Sequence, residues 1–269
     1  MRVSSRKKLS KFDIRLAEDL VKLPRLGYSD LLQLESDISQ ISELVLLFTE
    51  SAGSFTELGV FALDIEISPR LMVVIDGHNY NEDSFIRKGV LEYLESTLGE
   101  EIVCVIDLID HGAERIDRVK NLNIDSFELF IEEKISQRLN RKSEPSTFEK
   151  SRPGHLIKLM TGLIQNYAAL TLDEIDLILF CIGISEPHDK LKRLLGCAEL
   201  FGWITAQKSG TRTFYSSTGG KIAVNFEMAG GSIPINRSKW RMEIRQYWKE
   251  KDPDRFKCIS AAASLGSSK

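Results

Sequence analysis

ELVLLFTESAGSFTELGVFA, residues 43–62, decides how the first half of this chain is read. Leu44 to Phe48 is an apolar run bounded by polar residues, the pattern of a strand buried on both faces. SFTELGVFALDI then reads as a helix, so the stretch is a strand, a Gly/Ser turn and a helix. Outward from it the alternation continues. LMVVID (71–76) and EIVCVID (101–107) read as strands, and DSFIRKGVLEYLES (83–96) and DSFELFIEEKISQRLN (125–140) as helices. Upstream, FDIRL (12–16) reads as a short strand and SDLLQLESDISQIS (29–42) as an amphipathic helix with Ser29 at its N-cap. Strands and helices alternating at this spacing predict an α/β fold with a parallel sheet and helices on both faces.

In such sheets ligands sit at the carboxyl ends of strands, where loops lead into helix N-termini. Glu50, Ser51, Gly53 and Ser54 fall at that point. Gly53 suits a tight turn, and the serines offer hydroxyls and N–H groups to a sugar or phosphate. Glu57 follows in the first helical turn, where the dipole favours an ionised carboxylate suited to attack or stabilise an anomeric carbon. The same spacing permits another reading: Ser54-Phe55-Thr56-Glu57 is an S-x-x-E capping box, in which Glu57 merely closes the helix end. Glu18 and Asp19, after the first predicted strand, and Asp76, ending the LMVVID strand, are further candidates for sugar-hydroxyl contact, or else solvated loop acids and a turn cap.

RKSEPSTFEKSRPG (141–154) is polar, holds two prolines and breaks the periodicity, which places a domain boundary there. Three helical patterns follow. HLIKLMTGLIQNYAAL is the first, TLDEIDLILFCIG the second with a Thr171/Glu174 capping box, and EPHDKLKRLLGCAELFG the third with Pro187 in its first turn. WITAQ (203–207) and TRTFYSS (211–217) then read as a hairpin. Three helices followed by a two-stranded ribbon is the order of a winged helix-turn-helix domain. The expected organisation is therefore an α/β domain over 1–142, a winged-helix domain over 151–217 and a basic tail over 218–269 with a helix at RSKWRMEIRQYWKEK (237–251). Lys190, Lys192 and Arg193 on the third helix and Lys208 and Arg212 beside the wing are the candidate phosphate contacts, with a solvated helix face as the alternative. Trp240, Tyr247 and Trp248 among Arg237, Lys239, Arg241 and Arg245 suit either base stacking or helix packing.

The bulk numbers set bounds. Of 269 residues 42% are hydrophobic and 28% charged, a globular balance with enough apolar matter for two cores. No apolar run approaches the ~18 residues of a membrane span, and the basic start MRVSSRKKLSKFDI lacks the apolar segment of a secretory signal. Four separated cysteines (Cys104, Cys181, Cys197, Cys258) read as reduced thiols of a cytoplasmic protein, and lone loop histidines such as His78 and His111 predict no metal site. Residues 1–150 hold 28 acidic and 19 basic residues, a net of -9, whereas residues 217–269 hold 10 basic and 5 acidic, a net of +5. The two ends suit different partners.

The run ELVLLFTESAGSFTELGVFA resembles the signature of retron effector proteins with a nucleoside deoxyribosyltransferase-like, N-glycosidase-type domain. RLAEDL (15–20) with LLQLESDIS, and RLMVVIDGHNYNEDSFIRKGVLEYL (70–94) with its DSFI step at Ser84 and Phe85, agree with the same family. The resemblance implies a flavodoxin-like parallel sheet followed by a winged helix, and Glu57 as the catalytic glutamate. It implies cleavage of N-glycosidic bonds, with nucleotides or NAD as substrate and no cofactor. It further implies a toxic effector of anti-phage defence, held inactive by a reverse transcriptase and its multicopy single-stranded DNA (msDNA), within a higher-order retron complex. One departure stands out: the family opens with a strand ending in a Gly-Gly loop, whereas SSRKKLSKF resembles the helix that follows it. Either that strand lies upstream or one wall of the site is missing. The second case favours an alternative, a degenerate nucleotide-sensing or docking module with a nucleic-acid-binding winged helix. A winged-helix transcription factor with an α/β sensor is a third option, and the thin basic surface weighs against it.

Overall fold

The computed structural model describes residues 8–17, 27–28, 30–113, 120–140, 147–226 and 236–266. The chain divides into two compact units, one of residues 1–16 and 42–146, the other of residues 17–41 and 147–269. Helix α1 (Leu31–Ile41) thus belongs with the second half, although its sequence neighbours belong to the first. The expected cap Ser29 lies outside the described residues, and Asp30 instead accepts the Gln33 N–H at 2.8 Å.

The first unit is mixed α/β with a three-stranded parallel sheet, β1 (Val45–Phe48), β2 (Leu71–Asp76) and β3 (Val103–Ile106), in that spatial order. Helix α2 (Ala52–Leu63) links β1 to β2. Short α3 (Gly77–Asn81), a π-helical turn at Ile86–Leu91 and α4 (Glu92–Leu98) link β2 to β3. Helix α5 (Ile124–Leu139) follows β3. Every residue of β2 is buried, because alternate side chains meet different helices. Leu71, Val73 and Ile75 pack with Leu58 and Phe61 of α2 and with Leu91 and Leu94. Met72 and Val74 pack with Cys104, Ile106, and Ile131 and Ile135 of α5. Each such aliphatic side chain contributes about 2 kcal/mol by leaving water.

FDIRL does not form the expected strand. A 3₁₀ turn at Leu9–Lys11 leads into non-sheet chain, and Phe12 and Ile14 pack on the α5 face without a strand neighbour. The backbone N–H groups of Lys8 and Leu9 donate to the buried Glu128 carboxylate at 2.9 and 3.3 Å, which ties this segment to α5.

The second unit packs α1 with α6 (Pro153–Tyr167), α7 (Leu172–Cys181) and α8 (His188–Leu200) in one core. A β-carbon on Gly154 would lie 2.8 Å from Cβ of Gln40, so α1 and α6 meet this closely only because Gly154 has none. The predicted Thr171/Glu174 capping box is present at α7. Pro187 stands one position earlier than expected, at the N-cap of α8. Two-residue β4 (Ala169–Leu170), between α6 and α7, pairs antiparallel with β6 (Arg212–Ser217), which also pairs with β5 (Ile204–Ser209). Gly210, at φ 60°, supplies the positive φ that the two-residue turn between β5 and β6 requires. Residues beyond the ribbon form two helices, α9 (Arg237–Lys251), matching the predicted bounds, and α10 (Pro253–Gly266), which sequence periodicity had not marked.

Candidate active site

The carboxyl edge of the parallel sheet is built from three strand ends. Past Phe48, Thr49 is fully buried, and its N–H and hydroxyl both donate to the Val74 carbonyl, at 3.0 and 3.2 Å. That anchor leaves only Glu50 and Ser51 to join β1 to α2, so the helix starts at Ala52.

The cap forms accordingly on Ser51. Its Oγ accepts the Ser54 N–H at 3.3 Å, and Ser54 Oγ accepts the Ser51 N–H at 3.0 Å. Ser54 Oγ also accepts the Glu50 N–H at 3.0 Å and donates to the Ser51 carbonyl at 2.9 Å, so the loop consumes this hydroxyl. The Ser54-to-Glu57 capping box is therefore not formed. Glu57 sits in the second helical turn, half-buried, and makes no hydrogen bond or ion pair among the described residues. Gly53 lies inside the helix, not in a tight turn, and a β-carbon there would make ordinary contact with Ser51 Oγ at 3.6 Å. Glu50 is exposed. Glu18 and Asp19 lie outside the described residues.

Asp76 ends β2 and caps α3, its Oδ1 accepting the Asn79 N–H at 2.9 Å and its Oδ2 the Asn79 side-chain amide at 3.3 Å. It also lines an open cleft between the ends of β2 and β3, with His78, Asn79, Glu82 and Asp107 among the other lining residues. Of the described residues singled out from sequence for substrate, Asp76 lines this cleft; Glu50, Ser51, Gly53, Ser54 and Glu57 do not. Asp107, which accepts the Ile109 N–H at 3.0 Å, had a readable signal: Val-Ile-Asp recurs at 74–76 and 105–107, ending β2 and running one residue past β3. Asp76, Glu82 and Asp107 give the cleft three acids, and among the described residues no Lys or Arg lines it. His111 packs against Phe127 and Phe130 with Nδ1 2.8 Å from Ser126 Oγ, a structural setting. In the DSFI step, Ser84 Oγ accepts the Arg87 N–H at 3.3 Å while the Phe85 ring is exposed.

In the second unit most of the expected phosphate contacts are already engaged. Lys190 pairs with Glu186 at 2.8 Å and Lys192 with Asp189 at 3.7 Å. Arg193 lies over the Tyr28 ring at 5.7 Å. Arg212 makes two hydrogen bonds to Asp252, at 2.9 and 3.0 Å. Lys208 is exposed and without a partner among the described residues. Trp248 donates Nε1–H to the Tyr167 carbonyl at 2.9 Å and Trp240 meets the Tyr167 ring edge-on at 6.1 Å, so these indoles pack α9 onto α6. Tyr247, half exposed, stands edge-on to Trp248.

Residues 1–206 match the family described as STM3845 retron effector protein, and the chain belongs to that family. Two Escherichia coli relatives are similar over a shorter stretch. "Retron Ec86 putative ribosyltransferase/DNA-binding protein" is 36% identical over 89 residues, 32% of this chain and 29% of the relative. "Retron Ec73 putative ribosyltransferase/DNA-binding protein" is 36% identical over 89 residues, 33% of this chain and 28% of the relative. The matched stretch spans less than a third of either relative's length. Among the described residues no helix is long and apolar enough to cross a membrane.

Proposed function

We propose that the chain is a toxic effector of a retron anti-phage defence system, a cytoplasmic N-glycosidase whose catalytic carboxylate is Glu57. The reading takes the first unit as a nucleoside deoxyribosyltransferase-like, flavodoxin-type sheet. Glu57 attacks or stabilises the anomeric carbon of a nucleotide or NAD, the base departs and water completes hydrolysis. A reverse transcriptase and its msDNA hold the effector in check. The observation that carries it is that Glu57, on the helix leaving β1, has no hydrogen bond or ion pair among the described residues: the cap is built from Ser51 and Ser54. A carboxylate with no structural partner is free to meet a substrate. The names of the two relatives, each a ribosyltransferase/DNA-binding protein, support the same chemistry.

Residues 153–217 of the second unit are read as a winged helix because short β4, between α6 and α7, pairs with the ribbon, giving the order helix, strand, helix, helix, ribbon. Expression without the reverse transcriptase tests the function. The wild-type chain arrests growth and Glu57→Gln, at equal protein level, does not; arrest by both rejects the role of Glu57. A second reading, a docking or nucleotide-sensing module without activity, is favoured by one observation: the cleft between β2 and β3 is lined by Asp76 and Asp107 but not by Glu57.

A further inference from the structure

Helix α9 has no buried residue, and its sequence RSKWRMEIRQYWKEK carries six basic residues against Glu243 and Glu250, a net of +4. Residues three and four apart share a face of a helix. Arg237, Trp240, Arg241 and Trp248 form the anchored face, bonded to or packed on Asn225, Tyr167 and Asn166. A second stripe, Lys239, Glu243, Gln246 and Glu250, satisfies its acids internally: Lys239 faces Glu243 at 3.8 Å and Gln246 donates to Glu250 at 2.6 Å. The third stripe, Ser238, Met242, Arg245 and Lys249, is exposed, and neither cation on it has a partner among the described residues. The acids of the helix thus stand on one flank and the free cations on another.

Arg212, at the ribbon tip, grips Asp252, the residue after α9, with two hydrogen bonds, whereas Lys208 pairs with Thr213 and projects from the opposite face of the ribbon. We propose that Arg245 and Lys249 form a phosphate-tracking surface for a nucleic-acid strand. Arg212 braces the ribbon against α9 and meets no phosphate. Cations held on a helix with no acid paired to them among the described residues suit a polyanionic backbone, and Met242 on the same stripe offers an apolar contact to sugar or base. The surface lies beyond residue 206, outside the span matched to the family. It rests on the nucleic-acid partner of the proposed function and is independent of the glycosidase chemistry.

The test is fluorescence anisotropy of the full chain with labelled mixed-sequence DNA, single-stranded and duplex, across a salt series. Combining Arg245→Gln with Lys249→Gln weakens binding about tenfold and flattens the salt slope by about 2, as loss of two phosphate contacts requires. Arg245→Lys with Lys249→Arg retains binding. Lys190→Gln with Lys192→Gln changes it by less than about twofold, since those cations are paired already. Circular dichroism confirms that each variant is folded. Wild-type binding in the Arg245/Lys249 variant, with loss in the Lys190/Lys192 variant, overturns the surface while leaving a nucleic-acid partner standing. Failure of the wild-type chain to bind either DNA removes both.

Discussion

Ser51 and Ser54 close the N-terminus of α2 reciprocally, each hydroxyl accepting the other residue's backbone N–H, at 3.3 and 3.0 Å. The pair leaves Glu57 outside the cap, and the two roles that sequence spacing allowed for that acid separate in stability as well as in activity. Ser54→Ala leaves four bonds of the loop unmade, those of Ser54 Oγ with the Glu50 and Ser51 N–H groups, the Ser51 hydroxyl and the Ser51 carbonyl, and costs about 1–2 kcal/mol. Glu57→Gln, which removes no contact, stays within about 0.5 kcal/mol of the wild type. Urea unfolding of the two variants measures the difference; a cost for Glu57→Gln equal to that of Ser54→Ala would return Glu57 to the cap.

A polar knot in the second unit makes stability depend on pH. Tyr28 donates to Asp37 at 2.7 Å and lies 3.0 Å from Cys197 Sγ. Burial raises the Asp37 carboxyl above its ordinary value, outweighing the Tyr28 hydrogen bond and the Arg193 and Lys190 charges that lower it. Burial likewise pushes the Cys197 thiol up to about 12. A carboxyl whose folded value is raised binds its proton more tightly folded than unfolded. Its contribution is therefore greatest at low pH and is lost as pH rises from about 3.9, the unfolded value, through the folded one. Asp37→Asn removes that dependence, so the stability of the variant relative to wild type increases across this window. A constant difference from pH 4 to 7 would contradict it.

Arg255 holds α10 to the helices before the ribbon. Only 3% exposed, it donates to Glu174 at 2.5 Å, to Asp252 at 3.3 Å and to the Ala169 carbonyl at 3.3 Å, with its guanidinium 3.9 Å from the Trp248 ring centre. Arg255→Ala strips several partners of one buried cation and costs about 3 kcal/mol. Arg212→Gln, which removes a half-exposed arginine, costs less. Thermal unfolding ranks the two; equal costs would show that the tail helices are not held by this cluster.

How much of this was legible follows from where each signal resides. LMVVID announces β2 to the residue, because a strand buried on both faces must be apolar throughout. The periodicity of residues 31–41 announces a helix but not its partner, and α1 packs with α6 and α8 although its chain neighbours build the other unit. FDIRL has strand-like composition, yet a strand needs a neighbour, and Phe12 and Ile14 bury themselves on a helix instead. The core-facing residues of α10, Arg255, Cys258, Ile259 and Ala262, do keep helical spacing, but Ile259 is the one large aliphatic among them, so the stripe carries little hydrophobic contrast. At the site, spacing marks Ser54-x-x-Glu57 as the capping box, whereas the cap that forms is Ser51-x-x-Ser54, with serine where the motif expects Glu or Gln. A tertiary contact chose between them, Thr49 fixed beneath Val74, and one sequence does not carry that information.

The most direct test of the glycosidase reading is release of free base, followed by chromatography, from NAD and from deoxynucleotides incubated with wild-type chain or with Glu57→Gln. Each protein is assayed alone and in complex with its reverse transcriptase and msDNA. The account predicts release by the wild type at about 10³ times the rate of the variant or more. Equal release by both, or none by the wild type in either state, would contradict it.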